Sequence, residues 1–356
     1  MKRGLAAMVF TVMVVRMLFQ TGIQDGLATR LRDALEDGSI LRASLDMELG
    51  PASPLSEAAP APTPTYAATR RQHIEVRAAA PLFTEVPAPA QEEEILPEEE
   101  ESDIRPMTIA GGLKVTNDTS YEIDVASLLA LPLSQVLPAD SPQILIIHTH
   151  GTEAYTPGAN DDYVASDTGR TQDRDYNVVR VGDVLTAALE KQGLRVIHDR
   201  GIYDYPSYTG SYARSGAAVE SYLSEYPDIG VVIDLHRDAL GADGVIYKTV
   251  AEGAGESTAQ LMLLVGTGEN GLEHPDWKEN LKLALAMQNV VNKKYATLAR
   301  SVALKGERYN QHLTTGSLIL EVGSSGNKLG EALRAVQLFA DAIGPLLLSL
   351  VESGEA

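Results

Sequence analysis

Three short stretches hold side chains whose types and spacing suit metal-assisted hydrolysis: His148-Thr-His-Gly-Thr-Glu153, Asp234-Leu-His-Arg-Asp238 and Leu320-Glu-Val-Gly323. In the first, His150 and Glu153 lie three residues apart, so one turn can bring an imidazole nitrogen and a carboxylate oxygen to the same cation. The distant His236 completes a His₂Glu set, which leaves a fourth position for water, as a catalytic zinc ion requires. Zinc lowers the pKa of such water to about 7 and polarises a carbonyl. Hydrolysis then needs a second carboxylate outside the ligand set to take the water's proton and hand it to the leaving nitrogen. Glu321 is the candidate for that base, with Asp238 next in line. His148 competes with His150 as ligand, because period-two alternation would put both on one face. His150 is favoured because it shares its turn with Glu153.

Other titratable residues rank lower. Asp173 and Asp175 are alternative carboxylate ligands, but they read more simply as polar residues at a helix start. Asp234 is placed to orient His236 from behind the ligand set. His73, His198 and His274 fall in linker-like or surface-like contexts and receive no role. Gly266-Thr-Gly-Glu-Asn270 is a glycine-rich turn without the lysine of a phosphate-binding loop.

The elements that must position these residues follow from hydrophobic periodicity. Ile144-Leu-Ile-Ile147 is an uninterrupted apolar run, as expected of a strand buried on both sides. Asn177–Lys191 has helical spacing (Val178, Val181, Leu185, Leu189). Leu194–Ile197 reads as a strand, Ser215–Tyr226 as a helix and Gly230–Leu235 as a buried strand. Val245–Val250 and Leu261–Gly266 are further strands, Trp277–Leu298 a long helix, Ser317–Val322 a strand and Leu329–Val351 a closing helix. Ahead of them, the stretch from Met107 to Val115 suggests an early strand, and Asp124–Leu131 a helical turn or two. The alternation predicts an α/β domain with a largely parallel sheet and helices on both faces. In such sheets, sites form at the carboxyl ends of the strands, where all three chemical stretches lie.

The 356 residues carry a net charge of −20, which argues against a nucleic-acid groove. There is no cysteine, so disulfides, thiol nucleophiles and Cys-ligated metals are excluded, and any metal must sit on His and carboxylates. Residues 1–20 open Met1-Lys-Arg3, followed by an apolar run interrupted at Arg16, and are expected to form a single-pass signal anchor. Its basic end would remain in the cytoplasm and the rest of the chain outside. Residues 21–106 are expected to be an extended spacer, since ten of the 18 prolines fall between Pro51 and Pro106, among Ala, Thr and a run of Glu. The catalytic domain is then 107–356, with its core at 142–351.

Four blocks carry a resemblance. Ile146-Ile-His-Thr-His-Gly-Thr-Glu-Ala-Tyr155, Tyr176-Asn-Val-Val-Arg-Val-Gly-Asp183, Asp234-Leu-His-Arg-Asp238, and the stretch from Arg308 to Gly323 with its Glu321-Val-Gly resemble stage II sporulation protein P, a family of zinc-dependent N-acetylmuramoyl-L-alanine amidases. The resemblance implies a zinc cofactor on His150 and His236, a catalytic Glu321 and cleavage of the muramoyl–alanine amide in peptidoglycan during engulfment of the forespore, with peptide cross-links as a further target. It also implies stage II sporulation protein D as a lytic partner. Arg308, Asn310, Gln311 and His312, just ahead of the Glu321 strand, are candidates for holding peptide or sugar. Two other readings stand beside this one. A zinc carboxypeptidase acting on stem peptides would use Arg237 or Arg308 to hold a free carboxylate. A non-catalytic wall-binding module would keep the fold but needs broken ligands, and none of the four positions is broken.

Overall fold

The structure is a computed structural model and describes residues 103–158, 169–242, 245–253 and 257–352. The expected anchor and nearly all of the expected spacer fall in residues 1–102, outside the described residues. Among the described residues, no helix is long and apolar enough to cross a membrane. The first described strand, β1 (Asp103–Met107), begins four residues ahead of the expected boundary at 107.

The chain continues through β2 (Val115–Asn117), α1 (Val125–Ala130), β3 (Ile144–Ile147), α2 (Val178–Glu190), β4 (Val196–His198), α3 (Ser211–Glu225), β5 (Val231–Asp238), β6 (Gly241–Ala242) and β7 (Val245–Thr249). It ends with β8 (Leu261–Gly266), α4 (Trp277–Lys294), β9 (Val302–Lys305), β10 (Ser317–Ser324) and α5 (Leu329–Leu348). Seven strands form the main sheet in the order β2-β9-β8-β10-β5-β3-β4. Every neighbouring pair is parallel except β8–β10. The sheet is therefore mixed, two parallel blocks running in opposite directions and meeting at β10. A separate small sheet joins β1, β7 and β6.

Alternation along β3 shows how both faces are used. Ile144 and Ile146 join the main core with Val178, Val181, Leu185 and Leu189 of α2, along with residues of α4 and α5. Leu145 and Ile147 turn the other way, to Val219 of α3. A strand covered on both sides has no polar position to offer, which explains the uninterrupted apolar run. The helix start at Asn177 is set by its side chain, which accepts the Val179 N–H at 2.9 Å.

Several element bounds differ from expectation, and the early strand expected from Met107 to Val115 is instead two strands, β1 ending at Met107 and β2 starting at Val115. The helix expected to reach Leu298 stops at Lys294, and the Leu298 carbonyl instead accepts the Leu261 N–H at 2.7 Å, which starts β8. Helix α3 begins at Ser211, four residues before Ser215. Strand β9 has no counterpart in the sequence reading, because four residues give too short a pattern even with Gly306 directly after them.

The start of α5 is tied to the small sheet through a buried carboxylate. Glu331 accepts from Lys248 Nζ at 2.8 Å, Asn327 Nδ2 at 2.8 Å and the Lys328 N–H at 3.0 Å, and also from the Ser257 hydroxyl. Burial alone would raise its pKa, but these donors outweigh it and hold the carboxyl at about 2. Because the folded value lies below the ordinary 4.5, the stabilisation is fully present above about pH 4.5 and is lost as pH falls toward 2. Glu331→Gln is expected to lower the unfolding free energy by about 2–3 kcal/mol at pH 7. Denaturant melts of both proteins between pH 7 and pH 2 should show that gap closing on the acid side. A gap independent of pH would mean that the charge is not what the donors hold.

Candidate metal centre and active site

Strands β10, β5 and β3 are adjacent and parallel, so their carboxyl ends open on one crevice. Strand β3 ends at Ile147, and the turn after it carries His150 and Glu153. Strand β5 supplies Asp234 and His236, and β10 supplies Glu321, whose register partner on β5 is His236. Ligand atoms of His150, Glu153 and His236 all lie within 4.8 Å of one another, and the three side chains are buried. This is the one such cluster of three or more His, Asp or Glu among the described residues. Two imidazole nitrogens and a carboxylate oxygen converging in this way fit a zinc-type cation with an open position.

The electrostatics of the cluster centre on Glu153. Its Oε1 lies 3.7 Å from His150 Nδ1 and its Oε2 3.6 Å from His236 Nδ1. The Arg237 backbone N–H donates to Oε2 at 3.0 Å, and Arg170 Nη2 lies 3.5 Å from Oε1. Burial pushes the Glu153 carboxyl up, but His236 and Arg237 outweigh it and hold it well below the usual carboxylate range. His236 has Asp234 Oδ1 at 2.8 Å behind its Nε2. Burial would discharge it, yet Asp234 and Glu153 together raise its pKa well above the ordinary value. Of the two carboxylates, Glu153 is the one on its Nδ1 side, where it attracts a cation. Asp234 is held in turn by the Thr149 N–H at 2.8 Å and the Thr149 hydroxyl at 2.6 Å. His150 is shifted the other way: burial and the nearby His236 push it down to about 4, so it is neutral and fit to be a ligand at pH 7. Its Nε2 faces Ser211 Oγ at 3.2 Å, in the first turn of α3.

Glu321 stands apart from the cluster. Its Oε2 is buried without a hydrogen-bond partner. Burial, reinforced by Glu153 and Asp238 against His236, pushes the carboxyl up to about 8. A β-bulge follows it, where the β10–β5 register shifts between Glu321 and Ser324. Gly323 sits in this bulge at φ 68°, a conformation open to glycine. Asp238, the alternative base, is engaged with Arg300 Nη1 at 2.8 Å.

The point where β3 stops separates His148 from His150. His148 follows the strand's alternation to the α2 face, whereas the turn carries His150 round into the crevice. His148 Nδ1 contacts the Leu235 carbonyl at 2.9 Å and its Nε2 contacts His198 Nε2 at 2.8 Å, so both nitrogens are engaged. Burial pushes it down to about 3. His198, which the sequence left without a role, is half of this imidazole pair, and its Nδ1 reaches Asp183 Oδ1 at 3.2 Å. The pair fits only because α2 has Gly182 there, since a Cβ would lie 2.5 Å from His198 Nε2 and 2.7 Å from His148 Nε2. His274, also read as surface-like, is buried and contacts Asn280 Nδ2 through Nε2 at 3.2 Å.

The residues expected to hold substrate are mostly spent inside the fold. Gln311 accepts the Gly266 N–H at 2.8 Å and donates to the Leu264 carbonyl at 3.1 Å. Asn310 donates to the Tyr212 carbonyl at 2.9 Å and to Ser215 Oγ at 3.0 Å. Arg308 Nη1 donates to the Glu273 carbonyl at 3.2 Å. Arg237, the proposed carboxylate grip, donates instead to the carbonyls of Ala154 at 2.8 Å and Gly169 at 2.8 Å, bracing the ligand turn. Asp173 accepts the Asp175 N–H at 3.0 Å in an exposed turn, and neither residue joins the cluster.

A family model described as stage II sporulation protein P (SpoIIP) matches residues 68–344. The chain belongs to the stage II sporulation protein P family. Stage II sporulation protein P of Bacillus subtilis (strain 168) is 30% identical over 222 residues, covering 58% of this chain and 51% of that protein. The chain thus spans about half the length of this curated relative. Two solved structures are similar at a more distant level. The N-acetylmuramoyl-L-alanine amidase from Clostridium difficile 630 is 14% identical, covers 59% of this chain and 96% of its own, and has a TM-score of 0.34. The catalytic domain of CwlV, an N-acetylmuramoyl-L-alanine amidase from Bacillus (Paenibacillus) polymyxa var. colistinus, is 15% identical, covers 58% and 98%, and has a TM-score of 0.31.

In this member of the stage II sporulation protein P family, the sequence reading missed Arg170, Thr149 and Ser211. Arg170 meets Glu153, Ser211 meets His150 and Thr149 meets Asp234. Arg170 and Ser211 come from outside the three chemical stretches and Thr149 from inside the first, and only chain folding reveals what each contacts. The His148 and His150 assignments can be separated directly. His150→Ala is expected to abolish divalent-metal uptake with little change in melting temperature. His148→Ala is expected to keep most of that uptake while losing about 2–3 kcal/mol of stability, because it leaves a cavity and unpaired groups. Metal content and denaturant melts on both variants check this, and the opposite pattern would move the ligand to His148.

Proposed function

We propose that the chain is a zinc-dependent peptidoglycan hydrolase that cuts the amide between the lactyl group of N-acetylmuramic acid and L-alanine. The observation that carries this reading is the buried His150–Glu153–His236 cluster with Glu321 beside His236 on the next strand. Membership of the stage II sporulation protein P family points to the same substrate. Zinc bound by these three residues would polarise the scissile carbonyl and lower the pKa of an attacking water.

The chain's own residues account for the remaining steps. Asp234 holds His236 and Thr149 holds Asp234, so the ligand enters the reaction already oriented. In its ionised form, which gains as pH rises toward the carboxyl's value of about 8, Glu321, with Oε2 unpartnered inside the crevice, takes the proton from the attacking water. As the C–N bond breaks, the same carboxyl passes that proton to the leaving nitrogen of L-alanine, and the muramoyl lactyl group leaves as a carboxylate. A base kept out of hydrogen bonds and away from bulk water exchanges a proton with less reorganisation than a solvated one.

Residues 1–20 are proposed to anchor the enzyme in the cell membrane with this domain outside the cytoplasm. A second lytic protein of the engulfment machinery, of the stage II sporulation protein D kind, is the proposed partner. Both ideas rest on the sequence.

Digesting purified peptidoglycan with the full chain, with and without chelator, and identifying the products by mass tests the activity. An amidase releases whole stem peptides and leaves the glycan strands intact. Release of terminal residues alone would make the chain a carboxypeptidase, and no release would favour a binding module. Glu321→Gln is expected to keep metal content near the parent's while hydrolysis falls about 10²–10⁴-fold. Because the amide preserves shape, the variant should still sediment with sacculi. Loss of metal together with activity would make Glu321 a ligand, and near-parental turnover would place the base elsewhere.

A further inference from the structure

We propose that Tyr205 and Tyr208, on the loop between β4 and α3, form a preorganised aromatic platform that receives a sugar ring of the glycan on the muramoyl side of the scissile amide. This deepens the amidase reading above and rests on it.

The position of the loop is the first support. The Tyr208 ring stacks on the imidazole of His150, with centroids 4.5 Å apart and planes 24° apart. The Arg170 guanidinium lies 5.2 Å from its centroid. Tyr208 therefore adjoins the metal cluster, and Tyr205 lies three residues ahead of it on the same loop. Both rings nonetheless face water: Tyr205 is 51% exposed and Tyr208 53%. Large apolar rings left in solvent next to a catalytic crevice suit a ligand that covers them.

The loop is also held rigid in that pose. Arg214 of α3 donates to three of its carbonyls: Tyr203 through Nε at 2.7 Å, Thr209 through Nη1 at 3.2 Å, and Ser207. Asp204, buried between the tyrosines and the ligand turn, accepts the Thr152 N–H at 3.1 Å and Arg170 Nη1 at 2.6 Å. A segment pinned at both flanks presents its rings without an ordering cost on binding, the condition for rigid aromatic recognition.

Charge separates sugar from peptide as the occupant. The exposed stretch Tyr205-Pro-Ser-Tyr-Thr209 carries no ionisable side chain other than its tyrosines. The two nearby cations are consumed, Arg170 by Glu153 and Asp204, and Arg214 by backbone carbonyls. Among the described residues, a stem peptide with its free carboxylates finds no uncommitted cation there. A pyranose instead offers an apolar C–H face for each ring and hydroxyl groups for its phenol oxygen. Tyrosine, with an apolar body and a polar tip, suits such a ligand.

Binding of glycan oligosaccharides stripped of peptide, and of free stem peptide, is measured by calorimetry on the full chain. Variants are Tyr205→Ala, Tyr208→Ala, the double Ala variant and the corresponding Phe variants. Each lost ring is expected to weaken glycan binding by about 2–10-fold, while each Phe variant stays within about 3-fold of the parent. Stem-peptide affinity and metal content should stay unchanged, and Tyr205→Ala, which leaves the His150–Tyr208 stack in place, guards against damage to the cluster. The proposal is overturned if the double Ala variant binds glycan as tightly as the parent, if peptide affinity falls instead, or if the parent binds no stripped glycan. A parent that releases no stem peptides from sacculi sinks the amidase reading itself, whereas release of stem peptides together with undiminished glycan binding by the double variant sinks only the platform.

Discussion

Burying the carboxylate of Glu153 is the constraint around which the crevice is arranged. An unpaired charge at a site that is 6% exposed would be far too costly to keep. It is tolerated because His150, His236, Arg170 and the Arg237 N–H surround it. Each partner is itself held: His236 by Asp234, Asp234 by Thr149, Arg170 by Asp204, and Asp204 by Thr152. Charges accumulate in this way until the outermost ones reach backbone donors. The side chain of Arg237 works against the same turn, clamping the carbonyls of Ala154 and Gly169 so that Glu153 cannot swing away. Three donor atoms stay close together although their mutual attraction is only partial, because the surrounding network leaves them nowhere else to go.

The sheet contributes direction. Its two opposed parallel blocks meet at β10, where β8 runs antiparallel. On the β5 side, the carboxyl ends line up and deliver Asp234, His236 and Glu321 to one end. On the β8 side, Leu264, Ala303 and Ile319 pack with Met262 and Tyr309, where the neighbouring block has α3. Glu321 shares this face with Ile319 and pairs in register with Met262. Glu321 therefore lies at the border between a helix-covered part of the sheet and one covered by loop residues.

Imidazoles in this fold serve two opposite purposes. His150 and His236 face a shared carboxylate in the crevice, whereas His148 and His198 face each other under α2, where Gly182 makes room. Two residues of sequence separate His148 from His150, yet one braces the β3–β5 end through the Leu235 carbonyl and the other lines the cluster. The difference is purely one of backbone path, since an extended chain alternates and a turn does not.

The sequence by itself determined the parts that depend on short-range pattern. The apolar run Ile144–Ile147 requires covering on both faces, the spacing of Val178, Val181, Leu185 and Leu189 requires a helix, and the spacing of His150 and Glu153 suits one cation. The strand and the helix form as read, and His150 and Glu153 come together, because periodicity and turn spacing are local properties. Tertiary structure alone decided the antiparallel join at β10, the imidazole pair of His148 and His198, and the internal use of Gln311, Asn310 and Arg237. A side chain's hydrogen-bond partners are chosen by chain segments tens to hundreds of residues away. Gln311 is legible as a polar loop residue but cannot be seen to saturate the Leu264 carbonyl until β8 lies beside it. Tyr208 likewise reads as an ordinary loop tyrosine until the fold sets its ring against His150.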